Sequence, residues 1–189
     1  MLRLLLLQAL AFTGITASNP WGGYGPWGGN RPNYGGCELL SQDDANLLVT
    51  RWTTTLTQTN SDLGNSSQTW NYLLTDDFKL VSGSIQTLQQ ENAYNGNYTI
   101  YNGKQVYIAN ELKYGALYSG VHNLDIIVGC NRVVWYWQVD HVLEDKIKVR
   151  GVNIFSLDNN AKITQLVVEN DSLGFAYNFG ANVSFPAFG

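Results

Sequence analysis

The apolar residues of this 189-residue chain change their spacing part-way along, and that change restricts the fold more than any other feature. Ala45, Leu48, Val49, Trp52 and Leu56 recur at intervals of three and four, the period of one helix face. Beyond Val121 the interval falls to two: Val133, Trp135, Trp137 and Val139 lie on one side of an extended segment, with Arg132, Tyr136, Gln138 and Asp140 on the other. Helical stripes gathered in the first two thirds and strands gathered after them bury each other when the helices cover one face of a sheet. That is an α+β domain, not an alternating α/β one.

The local signals refine this order. Ser41 and Asp44 form a capping box, and Leu40 is placed to staple against Ala45. A second helix is expected around 67–75, offering Trp70, Leu73 and Leu74, and a third around 103–112, offering Val106, Tyr107 and Ala109. Among the strands, His122 alternates in register with Leu124, Ile126 and Val128. Between Lys146 and Phe155 the apolar phase jumps from Ile147 and Val149 to Val152 and Ile154 across Gly151, which predicts a bulge that bends the strand. Asp158-Asn159-Asn160 reads as a turn into a last strand over 162–169, giving an antiparallel meander.

Residues 1–17 read as a signal peptide: Arg3 supplies the positive start, Leu4 to Phe12 the apolar stretch, and Ile15-Thr16-Ala17 the small-residue cleavage signal. A secreted, extracellular protein follows, with no membrane anchor after cleavage. Four glycosylation sequons fit that route, at Asn65, Asn97, Asn170 and Asn182. Residues 18–36 repeat Pro-Trp-Gly-Gly and have no periodic face, so a flexible arm is expected, whose rings are suited to contact with carbohydrate or another surface. Gly23-Tyr24-Gly25-Pro26-Trp27-Gly28 matches a dinucleotide-binding fingerprint in letters only, because no strand precedes it and a Pro stands where the helix would open. Cys37 and Cys130 are the only cysteines; an oxidising compartment favours their bonding, with two buried free thiols as the alternative. With 11 Lys and Arg against 15 Asp and Glu, the chain lacks the basic face that nucleic acid requires.

Several of these residues also carry a family likeness. Cys37 before the first helix, Asp76-Asp77-Phe78 after the second, Ser82-Gly83-Ser84-Ile85 in the next loop, Cys130, Arg150-Gly151, and Glu169-Asn170 ahead of a short terminal helix stand in an order that resembles secreted fungal NTF2-like proteins over residues 37–182, leaving 183–189 as a tail. The resemblance implies a cone, N-terminal helices packed in a strongly curved antiparallel sheet, as in the SnoaL and scytalone dehydratase group. It implies a pocket at the open end and a function anywhere from ligand binding to dehydration, isomerisation or cyclisation.

The residues themselves offer candidates for that pocket. Trp52, Tyr72, Tyr107, Trp135 and Trp137 are aromatic and fall on faces that turn inward, which suits a small apolar or aromatic ligand. His122, on the apolar phase of its strand, is the candidate acid or base, and Asp77 its candidate partner, since the dehydratase relatives pair His with Asp. His141 reads as a solvated loop residue. No nucleophile elbow, phosphate loop or zinc motif occurs, and neither metal nor cofactor is expected. The leading expectation is a binding or interaction module. The alternatives are a cyclase, dehydratase or isomerase on an aromatic or polyketide-like substrate, and a cell-wall or host-surface protein.

Overall fold

The first helix forms where its signals place it. In a computed structural model that describes residues 33–34, 37–38, 40–89, 98–143 and 147–181 (backbone alone at 33–34, 37–38 and 89), α1 spans Gln42–Leu56. Ser41 Oγ accepts from the Asp44 amide at 3.1 Å, and the Asp44 carboxylate accepts in return from the Ser41 amide at 3.3 Å. Ala45, Leu48, Val49 and Trp52 are buried along one stripe. The same device starts α2, Ser66–Leu73, where Asn65 and Gln68 exchange bonds of 3.0 and 2.9 Å. A buried Arg51 on α1 reaches Asp62 in the connecting loop through two bonds of 2.9 and 2.6 Å, tying the two helices.

The chain passes from α2 directly into β3, Leu74–Val81, then through α3, Gly83–Gln89, to β4, Thr99–Asn102, and α4, Lys104–Tyr114. Helix α3 replaces the loop expected at Ser82 to Ile85. On α4 the inner stripe is Tyr107, Ile108 and Glu111, while Val106 and Ala109 face outward, a shift from the stripe expected there. The strands β5 (Tyr118–Gly129), β6 (Arg132–Val142), β7 (Val149–Leu157) and β8 (Ile163–Asn170) form the meander, followed by α5, Ser172–Asn178.

These strands make one curved, open sheet in the order β4-β3-β8-β7-β6-β5. It is antiparallel except at β3 and β8, which run parallel with Leu80 opposite Leu166. A short ribbon, β1 (Asn33–Tyr34) with β2 (Cys37–Glu38), precedes the domain. The signal segment, residues 18–32 of the arm, the side chain of Cys37, and Asn97 and Asn182 lie outside the described residues. The pairing of Cys37 with Cys130 therefore stays an expectation.

Two phase assignments change. No bulge occurs at Gly151: β6 and β7 stay in continuous register from Val139 opposite Val149 to Arg132 opposite Ser156. Val152 and Ile154 face the outer side, where half-buried aliphatics give the false impression of a jump. The bulge lies in β5 instead. Asn123 pairs with Trp137 and Asp125 with Tyr136, so Leu124 is the extra residue and side-chain parity inverts across it. Val121 and Asn123 therefore share the inner face with Ile126 and Val128, and His122 does not.

The core between helices and sheet is centred on Tyr107. Its ring lies 6.1 Å from Trp52, 5.4 Å from Trp70, 5.1 Å from Phe78 and 5.6 Å from Tyr101, so one α4 residue joins α1, α2, β3 and β4. Trp52 continues the chain of rings to Phe155 on β7, edge to face at 5.4 Å.

Candidate functional site

At the end of this core toward α5, the helices and the inner face of the sheet do not close completely. They leave a cavity of about 80 Å³. Its walls are Trp52 and Leu56 from α1, Leu80 from β3, Ile85 from α3, Tyr107 and Glu111 from α4, Tyr118 from β5, Trp135, Trp137 and Val139 from β6, Asn153 from β7, Leu166, Val168 and Asn170 from β8, and Phe175 from α5. The sheet tryptophans are held by their nitrogens: Trp135 Nε1 donates to Asn123 and Trp137 Nε1 to Asn153, each at 2.9 Å. Gly151 makes room for the Trp137 ring. A Cβ at that position would stand 2.3 Å from Trp137 Cζ2 and 2.8 Å from the Glu169 carbonyl oxygen. Phe175 closes the far end, with Tyr118 at 6.1 Å and Phe179 at 6.3 Å.

Three polar groups in this lining lack hydrogen-bond partners. Asn170 Oδ1 and Trp52 Nε1 are buried without one. The Glu111 carboxyl also has none, and burial among apolar groups raises its pKa to about 7. Burial, with the Glu111 charge second, raises the hydroxyl pKa of Tyr101 to about 12 and pushes Tyr107 and Tyr118 well up. Among the described residues no Lys, Arg or His lines the cavity. A carboxyl poised between its two states can accept or donate a proton near neutrality.

The structure brings Trp52, Tyr107, Trp135 and Trp137 together in the cavity wall and leaves the other candidates outside it. Tyr72 lies beneath the Arg51 guanidinium, 5.8 Å away, and is not part of the cavity. His122 is on the outer face of β5, its Nε2 2.7 Å from Asp140 Oδ2, with Lys148 Nζ 3.0 Å from the other oxygen. The cause is the extra residue Leu124, which inverts the phase. Hydrogen bonds from His122 and Lys148 hold the Asp140 carboxyl down at about 2. Asp77 is exposed on β3, four strand spacings from β5, or roughly 19 Å along the sheet. His122 and Asp77 therefore form no dyad. His141 is half-buried in β6, not solvated. Asn170 is half-buried and belongs to the cavity lining, whereas Asn65 is exposed at its helix cap.

Glu111 is the site residue that the sequence reading missed. Its signal was its position four residues after Tyr107 on the same helix face. The residues that carried the family likeness serve instead as braces near the cavity. The Glu169 carboxylate accepts from the Gly83 and Ser84 amides at 2.7 and 2.9 Å, the Asn170 amide donates to Ser84 Oγ at 3.2 Å, and the Asp171 amide to the Arg150 carbonyl at 3.0 Å. Asp76 pairs with Lys104 at the start of α4. Among the described residues no group of three or more His, Cys, Asp or Glu is placed to hold a metal, and no helix is long and apolar enough to cross a membrane.

Comparison with known proteins agrees with this geometry. The family model for an NTF2-like domain matches residues 38–182. Among solved structures, TsrD from Streptomyces laurentii superposes with a TM-score of 0.51 at 13% identity, over 76% of this chain and 99% of that one. A protein from Jannaschia sp. CCS1, provisionally described as a SnoaL-like polyketide cyclase, gives 0.50 at 13% identity over 74% and 95%. A bacterial protein with a cystatin-like fold from Silicibacter pomeroyi gives 0.50 at 15% over 73% and 86%. At these identities the likeness is one of fold. A search of curated proteins finds no match.

Proposed function

This chain belongs to the NTF2-like family, and on that premise we propose that it is a secreted small-ligand-binding domain. Its ligand is small, mainly apolar and carries one polar group. The observation that supports this reading is the aromatic-lined cavity, in whose lining Asn170 and Trp52 each carry a buried polar atom without a hydrogen-bond partner. Buried polar atoms are nearly always hydrogen-bonded, so two orphans in one lining favour a bound partner. Size narrows the class: about 80 Å³ is well below the ~150 Å³ that accommodates benzene in an engineered apolar cavity. A polyketide-sized molecule exceeds this volume. Titrating tryptophan fluorescence with tert-butanol tests the reading; a shift in the wild type, lost in the cavity-filling Val168→Phe variant, is expected. An unresponsive wild type across neutral and charged small probes rejects it.

A second reading, an acid–base enzyme of the isomerase or lyase kind, is favoured by the Glu111 carboxyl at about 7 inside the cavity. Its test is deuterium exchange at the carbon next to the carbonyl of butanone, followed by NMR with wild type and Glu111→Gln. Equal rates in both remove Glu111 as the proton carrier. Extracellular export rests on the signal-like residues 1–17, and the bond between Cys37 and Cys130 and glycans at Asn65, Asn97, Asn170 and Asn182 complete that proposal.

A further inference from the structure

We infer that the cavity binds a small organic ammonium ion, with the Glu111 carboxylate as its counter-ion. The inference rests on the ligand-binding reading above and adds the charge class of the ligand.

Among the described residues Glu111 is the one carboxylate in a lining without any cationic side chain, and none of them hydrogen-bonds it. A carboxylate partly removed from water and left unpaired is destabilising unless a cation joins it. The surroundings favour a cation with apolar substituents. The rings of Trp52, Tyr107, Tyr118, Trp135 and Trp137 line the same space, and aromatic rings attract organic cations through their quadrupole. The indole donors of Trp135 and Trp137 are already bonded to Asn123 and Asn153 and are not available to an anion.

The volume defines the ligand further. By proportion to benzene in its ~150 Å³ cavity, about 80 Å³ holds roughly three to four heavy atoms. Trimethylammonium and ethanolammonium both meet this limit. A small carboxylate is disfavoured, because it would face Glu111 with no positive group among the described lining residues.

The test is a set of titrations of the mature chain at pH 8, followed by tryptophan fluorescence and by NMR shifts. There Glu111 is largely ionised, and the hydroxyls of Tyr101, Tyr107 and Tyr118 are neutral. The probes are trimethylammonium, ethanolammonium, tert-butanol and propionate. The ammonium ions are expected to bind about tenfold or more tightly than tert-butanol, the ratio that one charge-assisted contact supplies. Propionate is not expected to bind. Glu111→Gln should erase the preference for cations while keeping tert-butanol binding, and Glu111→Asp should retain part of it. Binding of tert-butanol with no preference for cations, or a preference unchanged in Glu111→Gln, overturns this inference and leaves the ligand-binding reading standing. Failure of every probe overturns both.

Discussion

Replacing Glu111 by Gln removes one ionisation from the core and should change how stability depends on pH. The carboxyl titrates at about 7 in the folded chain against an ordinary 4.5. A raised carboxyl pKa means that the folded state holds its proton more tightly than the unfolded state. Below pH 4.5 the group is protonated in both states and costs nothing. Between 4.5 and 7 the unfolded chain releases its proton first, so stability falls as pH rises, and above 7 the full loss is present. The shift of about 2.5 units corresponds to about 3.4 kcal/mol at 1.36 kcal/mol per unit. Because the side chain is only partly buried, water in the cavity screens the charge, and about 2 kcal/mol is the expected size. Urea denaturation at pH 5 and pH 8 isolates this term, since every other group titrates alike in both proteins. Glu111→Gln should match the wild type at pH 5 to within about 1 kcal/mol and exceed it by about 2 kcal/mol at pH 8. Parallel pH profiles would show that Glu111 is solvated in the folded protein and would remove the basis for its role in the cavity.

The braces and the close contacts make further predictions. Gly151→Ala drives a methyl to 2.3 Å from Trp137 Cζ2 and 2.8 Å from a backbone oxygen, and overpacking of this kind costs about 1–3 kcal/mol, readable as a lowered thermal midpoint. An unchanged midpoint would mean that the ring does not lie across β7. Glu169→Ala removes the acceptor of the Gly83 and Ser84 amides; a loss of about 1–2 kcal/mol and faster hydrogen exchange at those two amides are expected. Intact-mass measurement on protein from a secretory host, without reductant, should give a chain beginning near Ser18 and lighter by two hydrogens than its reduced form. Two free thiols would end the disulfide proposal.

Much of the fold was legible because it is written in periodic, local signals. Ser41 with Asp44 starts α1, and the alternation through Trp135 and Trp137 sets the inner face of β6. Both depend on neighbours within a few residues. His122 was misplaced because one extra residue, Leu124, inverts a strand's parity, and nothing in the letters distinguishes an inserted residue from a regular one. Gly151 was misread for a related reason: half-buried Val152 and Ile154 on the outer face look like the inner phase of a shifted strand. The parallel pairing of β3 with β8 joins residues more than 80 positions apart, and no local pattern encodes it.

The site follows a different rule from the fold. Of the residues that carry the family likeness, Gly83 and Ser84 donate their amides to the Glu169 carboxylate and Arg150 accepts the Asp171 amide, and these bonds fix where α3, β7, β8 and α5 meet. Their work is the same whatever the cavity contains, so a resemblance built on them identifies a scaffold. The residues that set the chemistry, Glu111, Trp52 and Phe175, line the cavity from three different elements and lie outside the motifs that carry the likeness. Each can change without disturbing the braces. Chains with this scaffold can thus differ in the charge inside the cavity while sharing the frame around it. For this chain the distinguishing quantity is one unpaired carboxyl among aromatic rings, and the protonation state of Glu111 is where its function should first be measured.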